Sequence, residues 1–289
     1  MAFCYLVHAQ PALNVVIDAD TGNEVDDPYA LARALIESSW NIIGLNATQW
    51  QASHWTEPRS MENSHRLNQV ILGHLGLKIK TRRGGAARMY DWGDQAQHSA
   101  AAYEIINQAR VIPEGNKLTV IALGALTNVA SALYIAPDIE DKIELHWLGT
   151  TYNFESGVLR KNDFNCMMDM QALDFLLFSN IEMHITPVNV ASAMVFSYEE
   201  TREQLSAQIP FYEFLIDRRK NHLDGGRKNR VLWDLAVISG VINPQWVSEV
   251  EITTSRDNGG RSIHYIKDLD SEKMKEEFFQ KLKAYFDDM

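Results

Sequence analysis

The chain has 289 residues, 46% of them hydrophobic, which is ample for a large buried core in one α/β domain or at most two. Its formal net charge of -11 repels nucleic-acid phosphates and anionic bilayers, which argues against both as partners and favours a cation or a neutral polar molecule. The two cysteines, Cys4 and Cys166, are far apart and lack metal-ligand spacing, which argues against a disulfide scaffold or a zinc site.

Residues 1–14 (MAFCYLVHAQPALN) are mildly apolar but lack a basic n-region. They read as a lead-in to the first strand, with a shortened secretory leader as the alternative. The expected location is cytoplasmic, or periplasmic or secreted if a leader is present. No stretch approaches the length of a transmembrane helix. Residues 15–17 read as a buried strand, and Tyr29, Ala30, Leu31 and Ala34 as the core face of the helix after it. Residues 40–47 (WNIIGLNA) read as a second strand, followed by the polar, aromatic loop TQWQASHWTEP. Helices are expected over 61–75 and 100–109. A continuous apolar strand, KLTVIAL over 117–123, leads through Gly124 to Asn128 into a helix reaching 133. A strand over 143–148, a helix over 170–178 and a strand over 181–188 follow. Helices over 211–222 and 231–241, a late strand over 260–268 and a charged amphipathic helix to 286 complete the pattern. This alternation predicts a single α/β domain, with a mostly parallel central sheet flanked by helices. Loops after the strands then gather at the carboxyl edge, where open α/β sheets bind ligands.

The segment VVIDADTGNEVDDPYALARAL places Asp18, Asp20, Asp26 and Asp27 at such an edge. Helix-dipole and turn preferences account for Asp26, Asp27 and Asp20, but Asp18, directly behind an apolar strand, has no capping role. Carboxylates this close repel one another, and a hard divalent cation reverses that penalty. The segment therefore reads as a metal or polyol site, with ordinary capping as the alternative.

Four segments, in order, resemble the nucleoside hydrolase family, the inosine-uridine-preferring N-ribohydrolases. Asp18-Ala19-Asp20-Thr21-Gly22-Asn23-Glu24-Val25-Asp26-Asp27 is similar to the family's Asp-x-Asp-Pro-Gly-x-Asp-Asp. VIALGALTNVASAL resembles its strand and Gly-Pro-Leu-Thr-Asn helix start. Asp163-Phe164-Asn165 with Asp169 resembles Glu-Phe-Asn followed by an Asp, and Trp233-Asp234-Leu235-Ala236 stands in place of a His-Asp. Gly84-Gly85-Ala86 fits a glycine-alanine turn between the first two. The resemblance implies Ca2+ bound by Asp20, Asp27, Asp234 and the carbonyl of Leu123, all hard oxygen donors. An acid at 234 inside an apolar helix needs a buried base or a cation, and a cation is the better explanation. Asp20 is then the general base on a metal-held water. Asp26, Asp163 and Asn165 hold ribose hydroxyls, and Asp18 supports the site from behind. The implied reaction is Ca2+-dependent hydrolysis of a ribonucleoside N-glycosidic bond by a homo-oligomer, with a small-molecule nucleoside as partner.

Several positions depart from the family form. The first loop is two residues longer, with Thr21 in place of proline and Asn23 and Glu24 added. The aspartates still converge if the extra residues bulge outward, with Glu24 on the surface or, alternatively, reaching the substrate. A sugar-binding asparagine falls on Gly157, for which Asn153 and Asn162 are weak substitutes. Trp233 replaces the histidine that helps the base depart. Indole is no general acid but stacks on a purine, which leans the reading towards purines. Trp50, Trp55 and His54 are further candidates near the base, and His54, His65 and His222 are alternative proton donors. Two other functions fit the same acids. One is a non-catalytic or divergent ribosyl-compound binding protein. The other is a Mg2+-dependent phosphohydrolase, weakened because no phosphate-cradling glycine loop is present and no lysine or arginine stands beside the aspartates in sequence.

Overall fold

The computed structural model describes residues 12–52, 56, 59–90, 93–223 and 226–289. The lead-in before residue 12, and His54 and Trp55, lie outside them. The strands are β1 (Leu13–Ala19), β2 (Trp40–Ala47), β3 (Thr81–Arg83), β4 (Leu118–Ala122) and β5 (Ile143–Leu148), then a hairpin of β6 (Thr151–Asn153) and β7 (Val158–Arg160). After them come β8 (Glu182–Thr186), the paired β9 (Val195–Ser197) and β10 (Asn229–Val231), β11 (Val247–Thr253) and β12 (Ser262–Leu269). The helices are α1 (Asp26–Leu35), α2 (Ser60–His74), α3 (Ala100–Val111), α4 (Thr127–Ile135), α5 (Phe164–Met168) and α6 (Met170–Leu177). Later helices are α7 (Val188–Ala191), α8 (Tyr198–Gln204), α9 (Pro210–Lys220), α10 (Trp233–Ile242) and α11 (Ser271–Asp287).

Eight strands form the central sheet in the order β3-β2-β1-β4-β5-β8-β12-β11, parallel throughout except for β11 against β12. The chain lays down β1, moves one way to β2 and β3, then returns past β1 to β4 and continues the other way. This reversal leaves a crevice between the carboxyl ends of β1 and β4, the switch point at which doubly wound sheets bind ligands.

Alternation along β1 builds the two covering layers. Val15, Ile17 and Ala19 join a core with Leu31 of α1, Ile238 of α10 and Phe278 of α11, whereas Val16 joins Ile105 of α3, Val129 of α4 and Leu173 of α6 on the other face. Both faces are covered, so the central strands read as unbroken apolar runs. Periodicity did not reveal the three-residue strands, which are too short to show a period, nor β11, whose Glu249 and Glu251 interrupt the apolar signal of an edge strand. The helix expected from 231 starts at Trp233, because residues 229–231 pair with β9 instead. No helix among the described residues is long and apolar enough to cross a membrane.

Candidate active site

A cavity of about 200 Å³ opens at the switch point. Asp20 enters its wall directly after β1, Leu123 directly after β4, and Leu148 from the end of β5. Asp26 and Asp27 come from the first turn of α1, and Trp233 and Asp234 from the first turn of α10. Asp163, Phe164 and Asn165 surround the start of α5, and Val188 opens α7. The acids converge, but the inserted residues do not bulge outward. Asn23 N–H closes a turn on the Asp20 carbonyl at 2.8 Å, the buried Thr21 hydroxyl donates to Asn68, and Asn23 and Glu24 fold over the cavity as part of its wall. Glu24 is thus no ordinary surface residue.

The carboxylates are buried, with relative exposures of 2% for Asp20, 4% for Asp26, 1% for Asp27 and 2% for Asp234. Burial, then mutual repulsion, drives their protonation equilibria upward. Asp20, Asp27 and Asp234 lie well above the ordinary carboxylate value. Asp26 is pushed up to about 7, by burial first and Glu24 second, against the hydrogen bond from Asp234 N–H and the attraction of Arg230. Two helix N-termini face the cluster, but each supplies roughly half an elementary charge, too little to neutralise four carboxylates. Asp20 Oδ2 and Asp27 Oδ1 are buried without a hydrogen-bond partner, and one oxygen from each of Asp26, Asp27 and Asp234 comes within 4.8 Å of the others. Buried, convergent, unpartnered oxygens fit a hard divalent cation. Asp26, expected on the sugar, therefore also stands within the group whose oxygens could hold a metal ion.

Asp18 lies behind the cavity wall, fully buried. Asn128 Nδ2 donates to its Oδ1 at 2.8 Å, while its Oδ2 has no partner, and burial pushes its pKa up to about 7. Asn128 also donates to the Ala47 carbonyl and accepts from Gly85 N–H, tying β1, β2 and the 84–85 turn together. A Cβ on Gly84 would stand 2.2 Å from that same carbonyl, which accounts for the glycine. Gly124 has a similar role at the site itself, since a Cβ there would come within 2.7 Å of Asp20 Cγ and 2.8 Å of Thr48 Cγ2. Gly124→Ala is expected to displace Asp20 and lower kcat/KM by about a hundredfold; steady-state kinetics that match the parent would refute this close fit.

The ribose-side residues are held differently from expectation. Both Asp163 oxygens accept backbone N–H groups, from Thr150 at 2.7 Å and Cys166 at 3.2 Å, so its carboxylate fastens the loop and caps α5 although it lines the cavity. Asn165 spends its amide on the carbonyls of Leu123 (2.8 Å) and Leu148 (2.9 Å), which leaves Oδ1 as its remaining ligand atom. The Leu123 carbonyl retains its second lone pair for a cation. Asn153 shapes the β6–β7 turn, Asn162 is exposed, and neither lines the cavity. Asp169 accepts from Thr127, Met89 and Ala172, an architectural role.

Trp233 lines the cavity with its Nε1–H on Ser192 Oγ at 3.1 Å, which fixes the indole. Trp50 does not line it; at 2% exposure it packs behind Phe164, Ala125 and Met168, and Phe164 takes the aromatic position on the wall. His65 is buried on α2, away from the cavity lining. His222 approaches through Asn23 O at 3.4 Å and Glu24 at 3.8 Å. Arginines do reach the acids in space: Arg230 pairs with Glu24, and Arg218 donates to the Glu24 carbonyl at 3.0 Å. Both come from beyond residue 215, so proximity in sequence could not show them. Val188 carried no signal at all.

A family model described as inosine-uridine preferring nucleoside hydrolase matches residues 15–282. A probable uridine nucleosidase 1 of Oryza sativa subsp. japonica is 21% identical over 259 residues, covering 80% of this chain and 77% of that protein. In fold the chain is similar to a purine-preferring ribonucleoside hydrolase from Gardnerella vaginalis, at TM-score 0.69 and 19% identity over 94% of this chain and 98% of the other. It is also similar to an inosine-uridine preferring nucleoside hydrolase from Bacillus anthracis, at TM-score 0.66 and 21% identity over 94% and 98%. With the match running from β1 into α11 and the buried acids at the switch point, this chain belongs to the inosine-uridine preferring nucleoside hydrolase family.

Proposed function

We propose that the chain hydrolyses purine ribonucleosides to free base and ribose, using Ca2+ held by Asp20, Asp27, Asp234 and the Leu123 carbonyl. As a family member it is a ribonucleoside N-glycosyl hydrolase; the ion, the base preference and the residue roles are the proposal. The observation that carries it is the set of buried, unpartnered carboxylate oxygens facing a cavity walled by a fixed indole. When bound, the ion would supply positive charge that lowers the pKa of a coordinated water. Asp20 takes the proton from the attacking water. Asp26 and the Oδ1 of Asn165 accept from ribose hydroxyls, and contacts that tighten as the sugar approaches an oxocarbenium-like state assist bond breaking. Trp233 stacks on the base and donates no proton to it, so the departing base is protonated by solvent or from the His222 side of the cavity. A phosphohydrolase is disfavoured by membership of the nucleoside hydrolase family.

The test is release of free base from inosine, adenosine, guanosine, uridine and cytidine, with Ca2+ and after chelation. Purine turnover that chelation removes and Ca2+ restores is the expected result; preferential pyrimidine turnover would overturn the base assignment. Trp233→Ala is expected to raise KM for purine nucleosides by about tenfold, the upper end of one aromatic stacking contact. Trp233→Phe should recover most of that loss, and equal purine KM in all three proteins would remove the stacking role.

A further inference from the structure

The sheet carries a second group of metal-ligating side chains, outside the active site. Strands β5 and β8 each present Glu-x-His, as Glu144 with His146 and Glu182 with His184. The two-residue period puts each pair on one face, and the register sets Glu144 beside Glu182 and His146 beside His184. His264 of β12 lies beside His184 in turn. The three imidazoles stack across the strands, with ring centroids 4.5 Å apart at 17° for His146 and His184 and 4.6 Å apart at 13° for His184 and His264. Glu144, His146, His184 and Glu249 of β11 line a cavity of about 320 Å³ that the end of α10 partly covers.

The polarity of this ladder resembles a ligand set. Glu249 takes both neighbouring Nδ1 atoms, His184 at 2.8 Å and His264 at 3.1 Å. A carboxylate on Nδ1 holds a proton there, so that an ion taking the place of the second proton would find the Nε2 lone pair, the arrangement that orients metal-binding histidines. His184 Nε2 faces Glu182 at 3.3 Å and Glu144 at 3.8 Å, and His146 Nε2 lies 2.7 Å from Glu144. Lys117 holds the other oxygen of Glu182. One ligand atom each from Glu144, His146 and His184 falls within 4.8 Å of the others, as does one each from Glu182, His184 and His264. A tetrahedral ion with bonds of about 2.0–2.1 Å needs ligand atoms about 3.3 Å apart. That spacing lies between the Glu144 contacts of 2.7 and 3.8 Å, and the two stacked rings must tilt towards each other for both Nε2 lone pairs to meet at one ion.

We propose that Glu144, His146 and His184 bind a divalent transition-metal ion of the Zn2+ class, with Glu249 as the positioning residue. Two imidazoles and a carboxylate select such an ion, whereas the all-oxygen active site suits Ca2+ or Mg2+. The scarcity of cysteine argues only against thiolate ligation. An ion here ties β5 to β8, two residues upstream of the Leu148 that walls the active-site cavity.

The test is calorimetric titration of chelator-stripped full-length protein with ZnCl2 in excess Ca2+, repeated with Co2+ for its visible absorption. One equivalent of Zn2+ is expected to bind, with a rise in the unfolding midpoint and tetrahedral Co2+ bands. His146→Gln, partly exposed and therefore tolerant of substitution, should weaken binding by ~100-fold or more and shift those bands, as should His184→Gln. Glu249→Gln should weaken it by about tenfold, and Asp234→Asn should leave it unchanged. Absence of Zn2+ binding in excess Ca2+, full affinity in His146→Gln, or loss in Asp234→Asn would each overturn the assignment and leave a metal-free ladder of histidine–glutamate pairs.

Discussion

Replacing Asp20 with asparagine is expected to lower kcat by about 10²–10⁴-fold while the fold is retained, the range lost with a general base. The amide matches the carboxylate in shape but cannot accept the proton of the attacking water. Asp20 is buried beside Gly124 with Oδ2 unpartnered, so that oxygen is not already held by another group of the protein. The metal-free variant should also unfold at the parent's temperature or above it, because one of the mutually repelling acids has become neutral. Lower activity with higher metal-free stability is a pair of effects that a misfolded variant cannot produce. A fall in kcat of less than about tenfold would remove Asp20 from the base role.

Chelation should make the protein's stability depend on pH in a direction opposite to ordinary acid unfolding. A buried carboxyl whose folded pKa exceeds its unfolded value near 3.8 holds its proton longer in the native state. The folded chain then binds more protons than the unfolded chain between those values, and stability falls as pH rises. Asp18 and Asp26, both pushed up to about 7, place the loss between about pH 4 and 7. Asp20, Asp27 and Asp234 move in the same direction. A bound cation holds the acids in their charged form and removes the loss, so the stabilisation by Ca2+ should grow from pH 5 to pH 7.5. The difference in unfolding midpoint at the higher pH is expected to be on the order of 5–10 °C. Calorimetric scans with and without chelator decide it, and a flat metal-free profile across this range would contradict the cluster's electrostatics.

Much of this architecture was legible because parallel strands covered on both faces leave continuous apolar runs. KLTVIAL and WNIIGLNA became β4 and β2 with little change of boundary. Asp20, Asp27, Leu123 and Asp234 fall together because each directly follows a strand or opens a helix at the same edge. What stayed hidden depended on side-chain contacts across long separations. Trp50 was placed near the base from its loop, but Phe164 occupies the wall in front of it. Asp163 looked like a sugar ligand by its motif, yet its shorter side chain is taken up by Thr150 and Cys166 N–H groups. The inserted Asn23 and Glu24 turn inward, because Arg230 and Arg218, far along the chain and carrying no local signal, hold Glu24 there.

The hydrogen bond between Asp26 and the N–H of Asp234 joins residues 208 positions apart. Loop closure over that span is entropically slow to reward, so this contact can form only after most of the sheet has assembled. The cation site is therefore a property of the finished chain. A nascent chain halted before β10 carries Asp20, Asp27 and Leu123 but lacks the residue that closes the ring. Capture of an ion by these acids is thus expected to require α10 docked against α1.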